Sequence, residues 1–526
     1  MTVTHDGEKF IAISQYEDRF VLAKAGFTWT PPIKKWVTYD PITAERLRQF
    51  CDAKAANRLS AAAQTVLQSS SADADIYVPC NPGLSFRGYQ KAAIAYALER
   101  KNTLLADPVG TGKSWEALGF CNVLLETQYP LKILIVTTAS MKITWMRECQ
   151  RVLTKNLPIC VVNGSDWFPG CCIYIINYDL LKRHHDNIRD EQWDVVIGDE
   201  IQKCCNPSSL RSKELFGCKE FSPLPAGRVL ALSATPMRNR PKDLFPIVSY
   251  LDPLTWGTKS FPFYQRYCGA KQVRIGYNKY AWDFSGSSNL GELSTKLRAS
   301  CMIRREKQDI LSDLPERLPA QIVEFKPTKS AQATIDEMYS VVGIRNGRPQ
   351  DFVERVNRMK VGQLPGFTEF SRLRKQLGVD KISVAVDHIG DCLENGKVVA
   401  FAHHVEVVQG IAAAFGDRAV FITGDTPQKK RQAVVDCFQN DPECELFVGQ
   451  IQACGEGLTL TAGNQAILVE FSWVPSENEQ AIGRVDRIGQ RSVVTPQYLV
   501  WQGSLDVHVA QTFLGKDEVI SAVMGG

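Results

Sequence analysis

Two stretches of the chain place residue types where they could do chemistry. The first, Leu104-Leu105-Ala106-Asp107-Pro108-Val109-Gly110-Thr111-Gly112-Lys113-Ser114, is an apolar run entering a loop that ends in Gly-Lys-Ser. Such a loop points backbone N–H groups at a phosphate, and the helix expected after it adds its positive dipole end. Lys113 would reach the β/γ phosphates of a nucleotide, and the Ser114 hydroxyl would sit on Mg²⁺. Asp107 stands where the usual pattern has its first glycine, so alone the stretch also fits a Gly-rich turn with a surface lysine. The second stretch, Trp193-Asp194-Val195-Val196-Ile197-Gly198-Asp199-Glu200, is a buried-strand pattern ending in two carboxylates. One carboxylate is needed to hold Mg²⁺, and a neighbour can deprotonate the attacking water. Asp199 is assigned to the metal and Glu200 to the base. An isolated acid pair is commonly a solvated strand end, but 86 residues beyond Lys113 (199 − 113) the pair and the loop together indicate an ATPase.

A third stretch, Gln480-Ala481-Ile482-Gly483-Arg484-Val485-Asp486-Arg487-Ile488-Gly489-Gln490, spaces Arg484 and Arg487 three apart, as on one helix face. An arginine aimed at a γ-phosphate stabilises transition-state charge, worth about 10³–10⁵ in rate. The bland alternative is a solvated basic helix. The expected nucleotide-binding set in these stretches is Asp107, Gly110, Thr111, Gly112, Lys113, Ser114, Gln480, Arg484 and Arg487; Lys113, Glu200 and both arginines are the catalytic candidates.

These residues need strand ends to stand on. Apolar runs at 102–106, 132–137, 173–177, 194–197 and 229–233 alternate with helical patterns, and a second such block has runs at 397–402, 419–423, 446–449, 466–470 and 497–500. Regular β-then-α alternation predicts parallel sheets flanked by helices, hence two α/β lobes. Residues 240–310 and 329–376 read as mainly helical insertions. Residues 1–52 read as a small α+β module with two strands around Thr30-Pro31-Pro32 and a closing helix. Residues 53–82 then form an Ala-rich helix and a polar tether, followed by lobes at 83–315 and 316–526.

With 526 residues, 44% hydrophobic and 22% charged, the chain is neither disordered nor collagen-like. No apolar run reaches the length of a membrane span, and the first residues lack a basic-then-apolar segment. A cytoplasmic or nucleoid location is expected. The net charge of +4 does not announce a nucleic-acid binder, and the 16 cysteines, without a C-x-x-C pair, read as free thiols.

In order, the motifs resemble those of superfamily-two helicase-type motors, and within that group the Swi/Snf family of DNA translocases, over residues 83–508. Phe86-Arg87-Gly88-Tyr89-Gln90 resembles the adenine-sensing motif. Val136-Thr137-Thr138-Ala139-Ser140-Met141, with Trp145 and Glu148, resembles a motif that contacts the DNA backbone. Ile175-Ile176-Asn177-Tyr178-Asp179-Leu180-Leu181 matches a further first-lobe motif, and Leu232-Ser233-Ala234-Thr235-Pro236 resembles the one coupling hydrolysis to DNA. Gly424-Asp425-Thr426 with Arg431, and Gly455-Glu456-Gly457-Leu458-Thr459-Leu460, follow in the expected order. Gln202 stands where the family usually has His, which keeps hydrogen bonding but loses charge. Phe263 to Cys268, Ser288-Asn289-Leu290, Met302-Ile303-Arg304-Arg305 with Leu314-Pro315, and Phe401-Ala402-His403-His404 resemble the HepA-related annealing helicases.

The resemblance implies two RecA-like lobes, ATP and Mg²⁺ as cofactors, duplex or forked DNA as partner and no membrane. Gln202, Ser233, Thr235, Gly455 and Gly457 would couple hydrolysis to nucleic acid. A monomer is expected, and His403-His404 would pack or touch substrate rather than bind metal. Lys296, Arg298, Arg304, Arg305 and Lys307, with Arg345, Arg348, Arg355, Arg358, Lys360, Arg372, Arg374 and Lys375, are expected to line a duplex channel. In the N-terminal module, Lys24, Lys34 and Lys35 interleave with Phe27, Trp29, Trp36 and Tyr39, a pattern for unpaired bases or for a small core. A strand-separating DNA or RNA helicase, and an ATP-gated clamp or scaffold with little turnover, remain as alternatives.

Overall fold

Strands buried on both faces must be apolar throughout, and the runs named above are. In the computed structural model, which describes residues 1–6, 9–38, 41–238, 240–276, 279–311, 314, 315, 317–343, 355, 356, 359, 365–454 and 458–510, every residue of Ile133–Thr137 and Ile173–Asn177 is buried. The chain divides into two compact units. The first is built from Met1–Pro108 and Gly112–Ile310, and the second from Val109–Thr111 and the chain from Leu311 onward.

The first unit holds a seven-stranded parallel sheet. Its order is Met302–Ile303, Asn102–Leu105, Ala226–Leu232, Trp193–Asp199, Ile133–Thr137, Ile173–Asn177, Ile159–Val161. The register sets Leu232 opposite both Leu105 and Asp199, and Val136 opposite Gly198. The residues after Leu105, after Leu232, at Asp199 and at Thr137 therefore emerge together at the carboxyl edge, where open α/β sheets hold ligands. The second unit holds a six-stranded parallel sheet, ordered Gln321–Phe325, Thr495–Trp501, Gln465–Leu468, Val398–Ala402, Leu446–Gln450, Ala419–Ile422. Two edge strands, Ile159–Val161 and Gln321–Phe325, escape the sequence reading because the first is only three residues long and the second mixes polar with apolar residues.

The N-terminal residues form a four-stranded antiparallel sheet, ordered Thr2–His5, Phe10–Ile13, Lys35–Thr38, Thr28–Thr30, with the helix Arg19–Ala25. Its core includes Val3, Phe10, Leu22, Phe27, Leu47 and Leu59, with Trp36 half-buried against it and Trp29 outside. Trp29 is 46% exposed and meets Trp36 edge-on at 5.8 Å. The Ala-rich helix runs Ala53–Ser69, begun by Asp52 accepting from the Ala55 amide at 2.7 Å. It packs on the helix Leu290–Ser300, and Arg46 pairs with Glu292 at 3.6 Å.

Three expectations are corrected. The serines read as a tether are fastened: Ser69 is fully buried, Ser70 Oγ accepts from Arg298 at 3.3 Å, and the Ser71 carbonyl accepts from Arg305 at 3.0 Å. The insertion 240–310 is not mainly helical throughout. It contains an antiparallel hairpin, Lys271–Gly276 with Lys279–Asp283, and supplies the edge strand Met302–Ile303. Finally, the helix Pro475–Ile482 stops short of Arg484 and Arg487, which lie in the turns after it instead of on a helix face. In the other insertion the described parts are helices, Lys329–Val342 and Phe367–Asp380.

Candidate active site

Strand Asn102–Leu105 delivers the loop, and helix Lys113–Leu125 leaves it. Gly110 and Gly112 sit at φ +87° and +85°, a region L-residues rarely adopt. A Cβ on Gly112 would lie 2.8 Å from Gln90 Nε2. Gln90 is in turn fixed by accepting from the Arg87 amide at 3.0 Å, so the buried glutamine lies against the loop. Lys113 Nζ donates to the carbonyls of Asp107 and Pro108 at 2.8 and 2.9 Å. Burial lowers its pKa, opposed by Glu200 and then Asp107 and Glu116. A desolvated ammonium tucked into a glycine loop at a helix start is the chemistry a phosphate chain requires.

Asp107 does not present its side chain to that cradle. It is fully buried, accepting from the Arg305 amide at 2.9 Å and pairing with the Arg305 guanidinium. Arg305 also donates to the Tyr89 carbonyl at 2.6 Å, and Arg304 to the carbonyls of Ala106 and Ala234 at 2.6 and 3.0 Å. Asp107 thus positions the loop rather than binding nucleotide with its carboxylate. Arg304 and Arg305 do not line a channel: they clamp the loop to the 233–235 segment and to the helix Gly88–Leu98. Arg298 likewise turns inward, to Ser70 Oγ and the Arg304 carbonyl. Sequence reasoning took these arginines for DNA contacts because a doublet reveals charge and not direction.

The acids stand at the neighbouring strand end. Asp199 Oδ2 accepts from Thr137 Oγ1 and from Trp145 Nε1, both at 2.8 Å, and its carbonyl accepts from Tyr178 at 2.6 Å. Thr137 and Trp145, expected on DNA, instead orient this carboxylate; Glu148 accepts from Trp115 Nε1 at 2.7 Å. Thr137 ends the strand paired beside Trp193–Asp199 and Trp145 lies on the helix Lys142–Val152 that follows, a placement legible only once strand order is known. Glu200 adopts a left-handed φ of 54°, strain that a non-glycine residue seldom carries outside functional sites. Gln202, 5% exposed, donates Nε2–H to Glu200 Oε2. The Thr235 amide donates to Ser233 Oγ at 3.1 Å. Ser114 and Asp199 offer a hydroxyl and a carboxylate, the hard oxygens that Mg²⁺ takes, so the residues present fit that ion.

Beside the loop lies one group that sequence reading missed. Glu116 is 1% exposed, its carboxyl oxygens accept no hydrogen bond, and Arg305 is 3.6 Å away. Burial first, then Asp107, pushes its pKa up to about 8.

In the second unit, Arg487 Nη1 donates to the Leu458 carbonyl at 2.8 Å, and the Leu460 amide to the Arg484 carbonyl at 2.9 Å. Arg317 grips Glu479, next to Gln480, through two 2.8 Å bonds. Arg431 donates to the Ala453 carbonyl at 2.9 Å. Gly455 and Gly457 lie outside the described residues, as do Tyr39, Arg345, Arg348, Arg358 and Lys360. Arg374 turns inward, donating to the Phe471 carbonyl and covering Trp473, whereas Arg372 stays exposed in a pair with Glu369 at 2.7 Å. His403 and His404 give their amides to Glu470 at 3.0 and 2.9 Å. No described helix is long and apolar enough to cross a membrane.

Against known families, residues 89–337 match the SNF2-related domain and residues 380–489 the helicase conserved C-terminal domain. The chain is 30% identical over 456 residues to the mouse DNA annealing helicase and endonuclease ZRANB3, covering 83% of this chain and 40% of that protein. It is 31% identical over 461 residues to the Caenorhabditis elegans homolog of SWI/SNF-related matrix-associated actin-dependent regulator of chromatin subfamily A-like protein 1, covering 84% and 62%. It thus spans between two fifths and two thirds of these relatives. Among solved structures, the Sulfolobus solfataricus SWI2/SNF2 ATPase core in complex with dsDNA matches with a TM-score of 0.41 and 20% identity, over 85% of this chain and 95% of that one.

Proposed function

The chain belongs to the SNF2 family of helicase-like ATPases, and from that premise we propose that it is a DNA translocase that couples ATP hydrolysis to movement on double-stranded or forked DNA. Remodelling or reannealing is the work we assign to it. The observation that carries the reading is the sheet edge of the first unit. One carboxylate, Asp199, is aimed by two donors, a strained Glu200 follows it, and a half-buried lysine donates into the glycine loop. Lys113 neutralises the phosphate chain, Ser114 and Asp199 hold Mg²⁺, and Glu200 takes the proton of the attacking water while Gln202 fixes its carboxylate. Mg²⁺, when bound, offsets charge on the phosphate oxygens. We assign Arg484 and Arg487 to the charge that develops on the γ-phosphate during hydrolysis. The DNA assignment draws on relatives named as annealing helicases.

Phosphate release measured with single-stranded, blunt duplex and forked DNA and with RNA tests the reading. Stimulation by duplex or forked DNA is expected; equal rates with no nucleic acid would remove the motor. Triplex displacement without separation of a tailed duplex distinguishes translocation from unwinding. Glu200→Gln is expected to keep ATP binding and to lower turnover about 10²–10⁴-fold.

A further inference from the structure

We propose that the hairpin Lys271–Gly276/Lys279–Asp283 of the first unit is a stacking platform for an unpaired base of single-stranded DNA, an inference that rests on the DNA reading above. Side chains alternate across a strand, so cross-strand partners share a face. Gln272 faces Trp282 and Arg274 faces Tyr280, and these four lie together on one side. Val273 and Ala281, with the ion pair Lys271–Asp283 at 3.7 Å, take the other.

That first side is not core. Tyr280 is 63% exposed and Trp282 41% exposed. Large aromatics held in water on a two-stranded element contribute little to folding, since such a ribbon is marginal without support. The support comes from the root. Trp282 lies parallel to Phe284, 6° between planes at 6.2 Å, and edge-on to Phe261 of the helix Ser260–Tyr267 at 5.4 Å. Trp282 is thus rigidly mounted, and Tyr280 stands beyond it, towards the tip, beside a guanidinium.

Charge selects the occupant. The hairpin carries Lys271, Arg274 and Lys279 against one acid, Asp283. Duplex backbone is held by cations and hydroxyls alone, whereas a cation beside exposed ring faces matches a strand whose bases are unpaired. The aromatic face would engage a strand only where pairing has opened, which suits a device acting at a junction.

The test uses the full chain and a duplex whose single-stranded tail carries 2-aminopurine, against the same duplex with blunt ends. Tyr280→Ala is expected to weaken tail binding roughly tenfold, the loss typical of one stacked base, to abolish the 2-aminopurine quench and to leave blunt-duplex affinity unchanged. Tyr280→Phe restores both signals because the ring remains, and Tyr280→Leu, apolar but not planar, does not. Leu supporting the quench as well as Phe, or tail binding unchanged in all three variants while DNA still stimulates the parent ATPase, overturns the platform alone. A parent that binds no DNA overturns the platform and the translocase reading together.

Discussion

Asp199 serves as a metal ligand only if its carboxylate holds one rotamer, and the Thr137 hydroxyl and the Trp145 indole N–H set that rotamer. Trp145→Phe keeps the buried ring and deletes the donor. Partners of this kind contribute roughly 10–100-fold to metal affinity or activity. We expect the variant to need more Mg²⁺ for half-maximal phosphate release while binding ATP normally, as read from a Mg²⁺ titration. Glu116 gives a second prediction. Its folded pKa, about 8, lies above the ordinary 4.5, so the folded state holds a proton that the unfolded chain releases. Stability from this group is full below about pH 4.5 and is lost as pH rises towards 8. Glu116→Gln should therefore gain thermal stability over the parent progressively from about pH 5 to pH 8 and no further above it; a pH-independent difference in melting temperature would contradict this. Nothing in the sequence marks Glu116, because its perturbation comes first from burial and then from Asp107, and only the fold supplies that burial.

At the scale of elements, the segment carrying Arg304 and Arg305 does what a catalytic motif would be expected to do for itself: it fixes the glycine loop. The edge strand Met302–Ile303 pairs with Leu104 and Leu105, and that register sets Arg305 beside Asp107. Removing one partner of a buried ion pair strands the other charge, at about 3–5 kcal/mol, whereas replacing both with neutral groups is often tolerated. Arg305→Met alone should thus destabilise strongly, and Arg305→Met with Asp107→Asn should recover most of the loss in urea unfolding. The parallel strands were legible because continuous apolar runs of four to seven residues have few other uses. The two-residue strand Met302–Ile303 is too short to show a period. The hairpin did carry a signal, polar and apolar residues alternating through Gln272-Val273-Arg274 and aromatics two apart in Tyr280-Ala281-Trp282, but flanking helical patterns overrode it.

For the whole molecule, two parallel sheets and a small antiparallel one follow from periodicity, but which segments bind which does not. The polar stretch after Ser69 has the composition of a linker and the contacts of a clasp. Gln68 accepts from Arg100 at 3.1 Å, Ser70 from Arg298 and Ser71 from Arg305, the arginine that holds the loop. Deleting residues 1–75 would therefore do more than remove a recognition module. Each lost bond to a charged guanidinium costs about 1.5–3 kcal/mol, and Arg305 would keep one fewer anchor against Asp107. We expect such a protein to melt lower and to lose basal ATPase, whatever DNA it prefers. Trp29, exposed and paired across the sheet with Trp36, separates the two roles. Trp29→Ala should change stability by no more than about 0.5 kcal/mol, as surface substitutions do, and reduce the preference for forked over blunt DNA while duplex-stimulated hydrolysis persists. Melting temperature and the ratio of forked to blunt stimulation, taken together on the truncation and the point variant, decide the matter. If Trp29→Ala leaves that ratio untouched, the module serves the clasp and not the junction.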